Sequence, residues 1–150
     1  MFFDYDFCIL FFPTSIEIAQ KMYKSSDFPL QAETYELIGI AMKIHSILGK
    51  GFLEIVYKDA FEIELKNRRI KYEREKEYFI DYKSEILPHR FYVDFAIENK
   101  IILELKSKAG IIEEHYAQVL NYLAISKLRI GLLINFHQQS LEFKRIILSK

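Results

Sequence analysis

The sequence predicts a mixed α/β (α+β) domain, and three observations carry that reading. Residues 91–107 hold two β-type apolar runs around the polar break Glu98-Asn99-Lys100, the pattern of a hairpin. Residues 34–48, 52–68 and 113–126 repeat apolar side chains at helical spacing. Residues 128–136 are nearly all apolar, as in a central strand covered on both faces.

At 150 residues, with 51% hydrophobic and 15% aromatic side chains, the chain can bury one substantial core. Its 21 basic and 21 acidic residues cancel, so any contact with a polyanion must come from a local patch. Cys8 is the only cysteine, which excludes an intramolecular disulfide and a cysteine-based zinc site. His45, His89, His115 and His137 lack the spacing of a ligand pair. A cytoplasmic protein is the expectation. No membrane partner is expected, since the longest apolar run near the start, residues 7–12, is too short to cross a bilayer.

Residues 1–30 differ from the rest and read as a leader. Asp4 and Asp6 stand where a secretion signal would carry bases. Patterned sequence begins only after Met22, so translation from Met22 is one expectation; it would drop Asp4, Asp6, Glu17 and Lys21 and leave the chain weakly basic. The domain proper is then 31–150. Its first helix, 34–48, has Thr34 available as cap and Gly49 as stop. His45, near its end, reads as a core or cap residue. Gly49-Lys50-Gly51 makes a tight connection to the second helix, 52–68, where Glu54 and Tyr57 lie three apart on one face. The helix dipole favours a glutamate in that first turn whatever the function.

Residues 70–86 alternate charges with Tyr72, Tyr78, Phe79, Ile80 and Tyr82 and predict exposed strands or an edge hairpin. Lys71, Arg74, Lys76 and Lys83 are offset there by Glu73, Glu75, Glu77, Asp81 and Glu85, which points to a solvated face. The third helix, 113–126, has Ala117, Leu120, Leu123 and Ala124 as expected core residues. Gln118 and Tyr122 stand four apart on it, with His115 a turn earlier, either an ordinary boundary pair or part of a site. Residues 141–148 give a last strand, with Lys144 and Arg145 partly exposed.

The chemistry concentrates in the hairpin. Its odd positions Val93, Phe95, Ile97, Ile101, Leu103 and Leu105 are apolar and should form the buried face. Its even positions include Asp94, Glu104 and Lys106. A turn centred on Asn99 places Asp94 opposite Glu104, within roughly 5 Å. Like charges at that distance repel by about 3 kcal/mol at an effective dielectric near 20. A divalent cation would offset this, and with Lys106 beside it would polarise a water for attack on a phosphodiester. An outer sheet face with ordinary Glu/Lys alternation is the other reading.

Gly51-x-x-Glu54-x-x-Tyr57, then Asp94 with Glu104-x-Lys106, then Gln118-x-x-x-Tyr122 fall in one order that resembles the GxxExxY family of the PD-(D/E)xK nuclease superfamily. The similarity runs from about Tyr23 to the C-terminus and takes in Gly-Leu-Leu-Ile-Asn-Phe at 131–136. Val93 stands where the superfamily's name-giving proline would precede Asp94. The resemblance implies a restriction-endonuclease-like core: a central mixed sheet flanked by helices, with the carboxylates where the sheet opens. It implies Asp94 and Glu104 as metal ligands, Glu54 as a ligand direct or through water, and Lys106 as the residue that orients the attacking water. Gln118 and Tyr122 shape the site in this reading. Oxygen ligands favour Mg2+ or Mn2+ over zinc. The implied function is a metal-dependent nuclease acting on DNA or RNA; the alternative is a catalytically silent module that binds nucleic acid or protein. Oligomeric state stays open, a homodimer included.

Overall fold

The computed structural model describes residues 29–149 and, as backbone alone, 3–9. The start expected at Met22 lies outside the described residues. A six-stranded mixed sheet has the order β1-β6-β5-β4-β3-β2, with β1 Phe3–Ile9, β2 Tyr72–Tyr82, β3 Glu85–Ile97, β4 Ile101–Lys106, β5 Ile130–Asn135 and β6 Glu142–Leu148. Only β4 and β5 run parallel, and the crossover between them is α3, Glu113–Ser126. On the opposite face pack α1, Gln31–Leu48, and α2, Glu54–Asn67. No described helix is long and apolar enough to cross a membrane.

Each face of the sheet has its own core. Leu37, Ile40 and Ile44 of α1 and Tyr57, Phe61 and Leu65 of α2 cover Phe95, Leu103, Leu105, Leu132 and Ile134. Tyr116, Val119, Tyr122 and Leu123 of α3 cover Val93, Ala96, Ile102, Leu133 and Ile146. Both faces of the central hairpin are therefore buried, not the odd face alone, because a helix layer lies on each side. Ala117 is exposed and Val119 takes its expected place in the core, while Arg145, expected to be partly exposed, is buried.

The first helix begins earlier than its sequence suggests. Thr34 lies inside α1, where its hydroxyl donates to the carbonyls of Leu30 at 3.1 Å and Gln31 at 3.0 Å, instead of capping it. The cap position is Leu30, in the left-handed conformation at φ 61°. At the other end Gly49, with φ 69°, stops the helix as expected and donates to the His45 carbonyl at 2.8 Å.

Gly131 of β5 lies directly under Val119 of α3, so an added Cβ would overlap the valine methyl. Valine is β-branched and stiff in a helix and cannot swing aside cheaply. Gly131→Ala is expected to lower stability by about 1–3 kcal/mol in urea unfolding, and Val119→Ala in the same chain to recover part of the loss. Equal stability of Gly131→Ala and wild type would show that α3 can lift off the sheet without cost.

Candidate active site

The register of the hairpin is the one an Asn99-centred turn dictates. Phe95 pairs with Leu103, Ala96 with Ile102 and Ile97 with Ile101, and Glu98 and Asn99 take positive φ of 52° and 53°. Beyond Phe95–Leu103 the backbone ladder gives way. The Asp94 N–H donates to Glu104 Oε1 at 2.9 Å, and the Leu105 N–H donates to Asp94 Oδ2 at 2.8 Å. Two carboxylates have taken over main-chain donors where the strands splay, and both are buried, Asp94 to 6% exposure and Glu104 to 2%.

This exchange reorients the hairpin. Phe95 and Ile97 face α1 and α2, whereas Val93 packs on the α3 side, against the simple alternation that would keep it with Phe95. On β2 the turnover coincides with Glu75, whose φ is 50°, between the pairs Arg74–Phe95 and Lys76–Val93. The outer half of the hairpin thus meets α3.

Burial, and next the charge of Asp94, push the Glu104 carboxyl up to about 8. Lys106, 12% exposed, places its ammonium 3.6 Å from Glu104 Oε2. Ser107 donates to the Phe52 carbonyl at 2.9 Å, tying the end of β4 to the start of α2. Asn135, fully buried, accepts from the Lys108 N–H at 3.1 Å and donates to the Lys108 carbonyl at 2.9 Å, holding the loop that follows Lys106.

Tyr57 is the anchor of the second motif. Its hydroxyl donates to the Gly49 carbonyl at 2.7 Å and accepts from the Phe52 N–H at 3.3 Å, and its ring stacks on Phe136 at 4.3 Å. Gly51, at φ 103°, makes the turn that this closure needs. Glu54 then opens α2 and points to Lys58, one turn on, at 3.6 Å. Lys58 pairs directly with Asp94 Oδ1 and lies 3.4 Å from Glu75 Oε1. Burial disfavours its charge, but the hydrogen bond and charge of Asp94, helped by Glu75 and Glu54, outweigh this and hold the ammonium well above the ordinary lysine range.

Asp94, Glu104 and Lys106 are therefore brought together, with Glu54 reaching them through Lys58. Among the described residues, no three acidic, histidine or cysteine side chains converge closely enough to hold a metal ion unaided. Sequence reasoning missed Lys58 and left Glu75 on a solvated face. The signal for Lys58 was its position four residues after Glu54, which puts both on one helix face.

Gln118 donates to the Tyr122 hydroxyl at 2.8 Å. Burial, and after it the charge of Glu104, raise the Tyr122 phenol. His115 instead caps α3, its Nδ1 accepting from the Ile112 N–H at 3.2 Å. Gln118 and Tyr122 also line a cleft of about 600 Å³ with His89, Phe91 and Asn121, between the outer hairpin and α3.

The folded Glu104 carboxyl titrates near 8 and the unfolded one near 4.5. Between these values the folded protein keeps a proton that the unfolded chain has lost, so stability falls as pH rises through the window. Glu104→Gln should remove that fall and gain on wild type by on the order of 1 kcal/mol or more between about pH 5 and 8.5 in urea melts. A difference between the two proteins that does not change with pH would contradict it.

The PD-(D/E)XK nuclease superfamily model matches residues 31–146. The crystal structure of SSO0001 is similar in fold, with a TM-score of 0.52 at 22% identity, over 79% of this chain and 60% of that one. This chain thus spans less than two thirds of that protein's length. No curated protein matches. With the family model covering both helix layers and strands β2 to β5, the chain belongs to the PD-(D/E)XK nuclease superfamily.

Proposed function

We propose that this protein is a divalent-metal-dependent nuclease of the GxxExxY type that hydrolyses phosphodiester bonds of DNA or RNA. The observation that carries the proposal is the buried Asp94–Glu104 pair, where the ladder gives up two backbone donors to carboxylates. Buried like charges with a strongly raised acid mark a place prepared for a cation. Each carboxylate commits one oxygen to a backbone N–H and turns the other towards an ammonium group. Hard oxygen donors of this kind suit magnesium or manganese.

A bound ion would polarise the scissile phosphate and ease departure of the leaving oxygen. Asp94 and Glu104 would hold it, with Glu54 joining directly or through water. Lys106 is positioned by Glu104 to orient the attacking water and to stabilise charge developing on the phosphate. Gln118 and Tyr122 steady the strand at the mouth of the cleft. Phe91, which lines the cleft with its ring at 74° to that of the buried Tyr122, offers a base an aromatic contact.

The formal net charge of zero favours a second reading, a catalytically silent module that binds nucleic acid or protein. Purified protein incubated with single- and double-stranded DNA and RNA, with and without magnesium or manganese, separates the two. Metal-dependent cleavage is expected, reduced about 100-fold or more in Asp94→Ala and Lys106→Ala. Binding without cleavage, indifferent to metal, would select the module.

A further inference from the structure

We propose that Lys58 is a built-in counter-cation of the acidic cluster, and that a divalent ion enters by displacing its ammonium group from Asp94 towards Glu75. The inference rests on the metal site proposed above and names the residue that controls its occupancy.

Three carboxylates converge on one nitrogen: Asp94 directly, Glu75 at 3.4 Å and Glu54 at 3.6 Å. Asp94 Oδ2 is committed to the Leu105 N–H, so Oδ1 is the oxygen turned towards a ligand, and Lys58 holds it. The Lys58 side chain is 13% exposed and reaches Asp94 from α2, whereas Lys106 has Glu104 as its partner. A hard divalent cation binds oxygens at about 2.0–2.6 Å and tolerates no ammonium group among its ligands. The two cations therefore compete for the same oxygens, and Glu54 can close on the metal only when Lys58 withdraws.

Glu75 supplies the way out. Its side chain is 51% exposed on the edge strand β2. By moving towards it, Lys58 keeps an ion pair while releasing Asp94 and Glu54. In the metal-free protein the same lysine offsets the repulsion between carboxylates that would otherwise loosen the hairpin.

Two measurements on the full-length protein test this. Manganese affinity, read from the electron paramagnetic resonance of the free ion, is expected to be about tenfold or more tighter in Lys58→Gln and Lys58→Met than in wild type. In wild type, saturating manganese is expected to increase reductive methylation of Lys58 several-fold relative to Lys43, quantified by mass spectrometry. Lys43, with a half-exposed side chain, is the control. Variants that bind no tighter, or a Lys58 that stays protected while manganese is bound, overturn the displacement but leave the metal site standing. No manganese binding by wild type or either variant overturns both. The labelling measurement needs no substitution and decides the matter even if the variants fold poorly.

Discussion

Two main-chain amides, those of Asp94 and Leu105, hold a pair of carboxylates together inside the sheet, and the rest of the site follows from that exchange. Like charges at about 5 Å repel by about 3 kcal/mol at an effective dielectric near 20. A hydrogen bond to a charged group returns about 1.5–3 kcal/mol. The backbone can thus keep the two acids adjacent without making them comfortable. What is left over appears as the raised Glu104 carboxyl and as the close approach of two lysines, one to each acid.

The same exchange shapes the surroundings. Donors that would have continued the β3–β4 ladder are spent on side chains, so the hairpin turns over at Glu75 and Asp94, and its outer half leans on α3. The cleft beside Gln118 and Tyr122 lies between that outer half and α3. On the other side of the sheet, Tyr57 closes the glycine turn between α1 and α2 and fixes where α2 begins. Glu54 and Lys58 then arrive at the carboxylates from a buried, stacked anchor and not from a free loop.

Much of this was legible in the chain. The Asn99-centred turn set the register that puts Asp94 opposite Glu104, because strand pairing is a local property once the turn is known. Helix α3 begins and ends where its apolar spacing indicated. Less legible were features settled by distant partners. Val93 changes sides because its neighbour's carboxylate captures a backbone donor on another strand. Spacing puts Lys58 on the helix face of Glu54, but its contact with Asp94 and the place of Glu75 beside it depend on a helix–sheet approach that no local pattern reveals. Thr34 resembles a cap in sequence, but its hydroxyl turns back to the preceding turn and the helix begins at Gln31, with Leu30 in the cap position.

Membership of the nuclease superfamily and the approach of Lys58 and Lys106 to Asp94, Glu104 and Glu54 support the proposed cation site, in which crowded acids are held by amines until a divalent ion takes their place. Anomalous diffraction from crystals soaked in manganese tests that description most directly. A peak within about 2.6 Å of both Asp94 Oδ1 and Glu104 Oε2 is the predicted result. Strong manganese peaks elsewhere with none between these two oxygens would contradict it.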